Sequence, residues 1–381
     1  MSPGQKARVA IIGAGPAGAA AGWHLATRGH AVTLIDRARF PRDKTCGDWL
    51  TPAALAELAA VGVDAAALAR DAPGHATVTA TRLVSPEGRA STRICSRPGA
   101  CVPRHALDHL VRARAIAAGC VPSERTVRDI ASDVAGDFDH VVDARGATVG
   151  VANAIGLRGY WTVDRSAIDA ETCARVEIHT DALSPRGYGW IFPVHADAKR
   201  VRFNIGVGLW KDDSGGAHTV TDFLDRFRAH NAVARAVCRA ASAETRPVGY
   251  PVALGLWRNH VADGRVLRIG DAANLADPLT GDGIGNALTS GRLVAEAIDG
   301  STGAPDAAHR WQRRFDEELA PELRRGLVLR HLLTTTPAKN LATRFVEHAV
   351  PSLGTRLHGA VFGATPYRGW WRGGGRAAKL R

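Results

Sequence analysis

The sequence predicts an α/β fold: a doubly wound parallel sheet, interrupted by an inserted antiparallel sheet and followed by a helical C-terminal segment. Three observations carry that expectation. A glycine motif follows an apolar run near the N-terminus, Val9-Ala-Ile-Ile-Gly13-Ala-Gly15-Pro-Ala-Gly18. A second, Val266-Leu-Arg-Ile-Gly270-Asp271, runs on through Asp277-Pro278-Leu-Thr-Gly281-Asp-Gly283-Ile284-Gly285. Between them, from about residue 156 to 210, the pattern changes to alternation rich in aromatic and β-branched residues, as expected of antiparallel strands.

Residues 8–12 form a short apolar run suited to a strand buried on both faces. Gly13 permits the tight turn, Gly15 lets backbone approach a pyrophosphate, and Gly18 lets the following helix pack on the sheet. That helix keeps Ala17, Ala20, Ala21 and Leu25 on helical spacing and stops at Gly29. Its N-terminus offers unpaired N–H groups and a positive dipole end to phosphate. A second strand over 31–35 ends on Asp36, about 20 residues after the glycines, where an acid grips the ribose hydroxyls of an adenosine. A glycine-rich turn without a nucleotide is the alternative. Two such loops, each following a strand and opening a helix, point instead to one extended ligand held at both ends. FAD is the ligand that fits.

The remaining elements follow in order. A helical stretch is expected over 52–60, and residues 76–84 and 89–95 read as a hairpin around Pro86-Glu-Gly88. Val102-Pro-Arg104 opens a helix closed by Gly119, and 139–144 returns a strand to the nucleotide sheet. A helix near 219–230 and a segment near 246–257 complete the inserted sheet. Residues 305–349 read as mainly helical, with apolar positions at Leu319, Leu323, Leu327, Leu329 and Leu332. The FAD-binding domain is therefore expected in three parts, 1–75, 101–155 and 263–300. The substrate domain takes the hairpin 76–100 and the antiparallel stretch 156–262, and 301–381 forms a basic helical region.

Composition narrows the class. The 381 residues suffice for two domains, and no run approaches the ~20 unbroken apolar residues of a membrane-spanning helix. Residues 1–8 lead straight into the first strand, leaving no room for a signal peptide. Six cysteines without a CxxC pair read as free thiols of a reducing cytoplasm. Net charge is +12, and residues 301–381 hold 14 Lys/Arg against 6 Asp/Glu. The tail around Trp370-Trp371 interleaves aromatics with cations. It reads as a solvated end, as a peripheral contact with an anionic membrane, or, with less support, as a nucleic-acid contact.

Taken together, five segments resemble the FAD-dependent geranylgeranyl reductase family, within the class shared with aromatic-ring hydroxylases and flavin-dependent halogenases. They are the first glycine unit with Asp36-Arg37, and Phe40-Pro-Arg-Asp-Lys44-Thr-Cys46-Gly47-Asp48. Val102-Pro-Arg104-His-Ala-Leu107-Asp108 is the third. The fourth pairs Tyr188-Gly-Trp190-Ile-Phe192-Pro193 with Asn204-Ile-Gly206-Val-Gly208, and the fifth is Gly270-Asp271 through Gly285. The resemblance implies cofactor contacts from Gly13, Gly15, Gly18, Asp36, Arg37, Arg104, Gly270, Asp271, Pro278, Gly281, Gly283 and Ile284. Asp271 would accept hydrogen bonds from ribityl hydroxyls, and the helix N-terminus at Gly283-Ile284 would favour negative charge on the flavin pyrimidine. Arg104 would lie beside the phosphates, unless it is a surface arginine at a helix start.

Cys46 is implied at the flavin's working face, as proton donor or gate, against the alternative of an ordinary small buried residue. Tyr188 would add a hydroxyl donor, while Trp190 and Phe192, with Trp49, would line an apolar substrate channel. Twelve residues separate Pro193 from Gly206, which departs from the family pattern and implies a longer hairpin at the substrate end. Arg145 stands where an acid is usual. A halogenase is disfavoured: no lysine lies between Lys44 and Lys199, and Tyr188 replaces the usual first tryptophan. His105 and His109 have metal-pair spacing but no third ligand, so no metal site is expected.

The implied activity is reduction of a carbon–carbon double bond in an apolar, prenyl-type or lipid substrate, by hydride from reduced flavin with a proton from Cys46 or water. A monooxygenase of the same fold is the alternative, separable by oxygen uptake and an oxygenated product. A flavin-free escort protein is the third, separable by a colourless preparation. No second glycine fingerprint marks a nicotinamide domain, so NADPH or NADH would dock transiently, unless a partner protein supplies the electrons.

Overall fold

The computed structural model describes residues 6–134, 136–180, 187–211, 219–255, 259–333 and 335–348, with 356, 358, 359, 361–363, 366 and 367. The tail beyond 367, with Trp370 and Trp371, lies outside the described residues.

Two sheets organise the chain. The first runs, in spatial order, Ala262–Asp263, Val266–Arg268, His140–Asp143, Arg8–Ile12, Ala31–Asp36 and Val121–Glu124. All its pairings are parallel except at the Ala262–Asp263 edge. Val9–Ile12 and Val141–Val142 of its central strands are apolar because both faces are covered. The helices Pro16–Thr27, Arg104–Ala117 and Ile284–Asp299 fill one face around Leu25, Val111 and Leu293. Val127, Ile130 and Val134 cover the other, against Ala10, Ile12 and Val141. Chain reversals place the first strand centrally, so Gly13 and Gly15 lie at its C-terminal end, where open α/β sheets bind ligands.

The second sheet has nine strands, led by Ala154–Asp164, Arg200–Trp210, Gly187–Ala196 and Arg175–His179 in antiparallel succession. The hairpin Ala76–Val84/Ala90–Cys101 belongs to this same sheet, joined by a parallel pairing of Ala76–Val84 to Arg175–His179. The inserted sheet is thus mixed. Its buried face, built on Trp161, Val163 and Phe203, is closed by Val220–His230, which brings Phe227, and by Ala232–Ala240, a helix the sequence reading did not separate.

The long hairpin proves different from expectation. Trp190 pairs with Gly206 and Phe192 with Asn204, so the extra residues simply lengthen both strands. The turn is tight, because the Asp197 carboxylate accepts the N–H groups of Lys199 and Arg200, both at 2.7 Å. It points to a separate surface hollow lined by His75, His105, His195 and Arg200. The substrate-end extension is therefore corrected: the added length projects away from the main cavity.

The C-terminal region is helical over Ala304–Arg314, Ala320–Leu332 and Thr336–His348, with a π-helical turn at Phe315–Leu319. Pro321 cannot donate to a regular ladder, which accounts for the wider turn ahead of it. Leu319 and Leu323 enter the core, but Leu332 is 64 % exposed. No single helix among the described residues is long and apolar enough to cross a membrane.

Candidate active site

A cavity of about 980 Å³ lies between the two sheets. Its nucleotide end is lined by Gly13, Gly15, Asp36, Arg37 and Arg145, its centre by Cys46, Gly270, Asp271, Gly281, Gly283 and Ile284, and its far end by Trp49, Tyr188, Trp190, Phe192 and Phe362.

The glycines meet distinct demands. A Cβ on Gly18 would stand 1.8 Å from the Gly13 carbonyl, and one on Gly13 would stand 2.2 Å from that of Ala144. Gly18 therefore serves close packing of helix on strand and does not border the cavity. A Cβ on Gly15 would meet only side-chain atoms, the nearer being Arg42 at 3.5 Å. The Pro16–Thr27 helix starts there with no capping side chain and no acid in its first turn, leaving its N–H groups available at the cavity. Ile284–Asp299 likewise starts behind Gly283, which has no side chain to cap with. Burial and neighbouring Asp277 push the nearby Asp282 carboxyl up to about 6, although the Ile284 and Gly285 amides oppose this. The uncapped start at Gly15 fits the phosphates of a long ligand such as FAD, while further along the cavity the Ile284 and Gly285 amides meet the Asp282 carboxyl.

Asp36 accepts the N–H groups of Ala14 at 2.7 Å and Ala38 at 2.8 Å, which holds its carboxylate at the cavity rim. Arg104 is buried and locked in a two-pronged pair with Asp108, at 2.6 and 2.7 Å, which neutralises it against the unfavourable dipole. Burial would raise the Asp108 carboxyl, but Arg104 and Arg42 hold it below the usual range. Arg42, which sequence reasoning left without a role, is the more accessible cation next to Gly15. Asp271 pairs with Lys44 at 2.8 Å, and Lys44 also stands over the Tyr250 ring. Arg145, where an acid was expected, forms a two-pronged pair with Asp143 at 2.9 and 2.8 Å.

The cofactor contact expected of Gly18 is corrected by its packing against Gly13, and two further expectations need correction. Pro278 does not line the cavity. Asp277 gathers the N–H groups of Leu279 and Thr280 into a turn, and Pro278 packs against Gly326 of the Ala320–Leu332 helix. Tyr188 does not offer a free hydroxyl, since its O–H donates to the Thr280 carbonyl and ties the flavin-side glycine loop to the second sheet.

Trp190 lies over a bed of glycines. A Cβ on Gly206 would reach its ring at 2.3 Å, and Cβ atoms on Gly208 and Gly156 would lie 3.6 and 3.9 Å from it. Its indole N–H donates to Asn204 Oδ1 at 2.8 Å, so its ring, stacked with Phe192, forms the wall. Asn204 then donates to the Cys46 carbonyl at 2.6 Å and to Asp48 Oδ2 at 2.8 Å. Asp48 is fully buried, with φ +68°, and also accepts the Tyr160 hydroxyl at 2.7 Å. Its Oδ1 has no partner among the described residues. Burial pushes the Asp48 carboxyl up to about 6. Burial also raises the Cys46 thiol, with Arg104 opposing, so Cys46 stands protonated at neutral pH. Asn204 was part of a motif without an assigned role; a lone amide in the apolar strand Arg200–Trp210 was the available signal. Val361 and Phe362 at the far end carried no sequence signal at all.

Fold and cavity define an FAD-dependent oxidoreductase. The FAD binding domain family matches residues 6–174. Menaquinone reductase of Mycobacterium tuberculosis is 30% identical across 100% of this chain and 98% of its own length. Digeranylgeranylglycerophospholipid reductase 2 of Methanopyrus kandleri is 27% identical, covering 84% of each chain. The crystal structure of a geranylgeranyl bacteriochlorophyll reductase-like protein from Thermoplasma acidophilum superposes with a TM-score of 0.73 at 19% identity, over 96% of this chain and 97% of that one. A flavin-dependent brominase shares the fold at TM-score 0.70 and 18% identity, over 94% of each. The chain belongs to the FAD-dependent geranylgeranyl reductase family.

Proposed function

We propose that the protein reduces a carbon–carbon double bond in an apolar, prenyl-type substrate. The observation that carries this reading is one cavity lined both by a protonated thiol, Cys46, and by an aromatic wall of Trp49, Trp190 and Phe192. Bound FAD supplies the hydride chemistry. The chain's own residues position and protonate: Trp190 and Phe192 orient an apolar chain, Tyr188 steadies the loop at Thr280, and Cys46 holds the proton for the second carbon. The names of the relatives, reductases of menaquinone and of a geranylgeranyl lipid, support a substrate of this class. A nicotinamide donor, NADPH or NADH, docks without a fingerprint domain of its own.

The test is anaerobic reduction of the FAD-loaded protein by NADPH and NADH, then mixing with menaquinone or a geranylgeranyl lipid. A product with two hydrogens added across a prenyl double bond, retained after any quinol is reoxidised to quinone, supports the reading. Oxygen-dependent turnover giving a product with one added oxygen overturns it in favour of a monooxygenase.

A further inference from the structure

The apolar part of the cavity is open at one side and closed at the other. On the open side Gly208, Leu209 and Trp210 are half-buried, as is Tyr250 on the edge strand Val248–Val252, and Val248 is 49 % exposed. Gly156 stands between Gly208 and Tyr250, so these residues form one continuous rim. Along Gly187–Ala196 and Arg200–Trp210 the cover then increases. Trp190 and Phe192 are 6 % exposed and Asn204 is fully buried. From Gly208 to Asn204 the strand advances roughly 13 Å.

Trp49 and Phe362 shut the closed side, packed in one cluster with Trp190 and Phe192. Trp49 is held in place. Its ring lies on Gly99, where a Cβ would come within 2.1 Å, and its indole N–H donates to the Phe362 carbonyl at 3.4 Å. Phe362 is 2 % exposed and stacks on His358, whose Nε2 lies 2.8 Å from the Thr81 hydroxyl. A wall backed in this way resists displacement, because close-packed side chains have no spare volume to move into. A chain passing Trp210 and Val248 would run along Trp190 and Phe192 and end against two fixed rings.

We infer that, given the apolar-substrate reading, Trp49 and Phe362 form the stop that sets how much of an apolar chain the cavity accepts. The chain enters past Trp210 and Val248 and ends on the two rings. Each methylene buried on the way tightens binding about fourfold, and the gain ceases where the rings begin. A longer chain leaves its remainder outside the rim.

The FAD-loaded full chain is titrated by calorimetry with straight-chain alcohols of increasing length, a test that needs no turnover. In the wild type each added methylene tightens the dissociation constant about fourfold, up to a limiting length where the gain stops. Trp49→Ala carries the gain past that limit by about tenfold or more, and Phe362→Ala does likewise, both at unchanged flavin content. Trp49→Leu, which refills part of the space, moves the limit less and serves where an alanine variant does not fold. Trp210→Leu, at the rim, weakens every alcohol alike and leaves the limit where it was. Three results overturn the assignment: the wild-type limit in every Trp49 and Phe362 variant, no limit in the wild type, or no binding of any alcohol. The apolar-substrate reading fails separately. A protein whose limit moves in Trp49→Ala, yet which reduces no prenyl double bond, keeps the stop and loses that function.

Discussion

At the scale of single residues, Asp48 and Cys46 divide the polar work beside the apolar wall. Burial holds the Asp48 carboxyl at about 6, against about 3.9 in an unfolded chain. Between those values the folded state binds the proton more tightly. Its contribution to stability is therefore full below about pH 4 and is lost as pH rises through about 6. The shift corresponds to roughly 3 kcal/mol, as an order of magnitude. Asp48→Asn keeps the side chain's shape, and asparagine tolerates the positive φ. Urea unfolding at about pH 4 and pH 7 checks this. Buried His24 and His358, held at about 4, add stability as pH rises over that interval. The prediction is therefore the difference: the variant loses less, or gains more, stability than the wild type. Asp282, also pushed up to about 6, keeps its share of the slope. An unchanged slope in the variant would refute the assignment. Cys46→Ser tests the proton's source. Product formation should fall by about 100-fold, in the range of general-acid contributions, while flavin content and flavin reduction by the nicotinamide donor stay as before. A variant that turns over normally would mean that water protonates the substrate.

Among the elements, the strand pair Gly187–Ala196/Arg200–Trp210 matters most, because its glycines make the seat of Trp190. Gly206→Ala would place a methyl 2.3 Å from the ring. The indole must move, breaking its bond to Asn204 at a cost of about 1–3 kcal/mol. A lower unfolding midpoint and red-shifted tryptophan emission are expected; unchanged emission would show the ring was not seated as described. The elements themselves were largely readable, since Pro52–Ala60 and Val220–His230 carry caps at Thr51 and Thr219 and regular apolar spacing. The site was readable only where its chemistry lies in a contiguous motif, as at Gly13–Asp36 and Gly270–Ile284. The Asp48–Tyr160–Asn204 cluster joins groups 112 and 156 residues apart, and no local pattern signals such a meeting. The hairpin's extra length was visible, but its direction depends on strand register, which a count of residues does not contain.

For the molecule as a whole, the cavity wall is shared. Arg8–Ile12, Ala31–Asp36 and the 270–284 loop enclose it from the first sheet, and Gly187–Ala196 and Arg200–Trp210 from the second. Tyr188, Asn204 and Arg158 cross between them, bonding to Thr280, Cys46 and Asp43. A ligand filling such a cavity should stabilise both sheets together, because pulling either away opens the same site. FAD at about 100 times its dissociation constant adds about 2.7 kcal/mol to the folded state. Thermal unfolding followed at once by far-ultraviolet circular dichroism and by tryptophan emission reports both halves, since Trp161 and Trp190 lie in the second sheet and Trp23 in the helix following Arg8–Ile12. Both signals should show one transition that shifts upward together as FAD is added. Two transitions, with only one moving, would mean that the second sheet folds independently and that the contacts crossing the cavity contribute little to its stability.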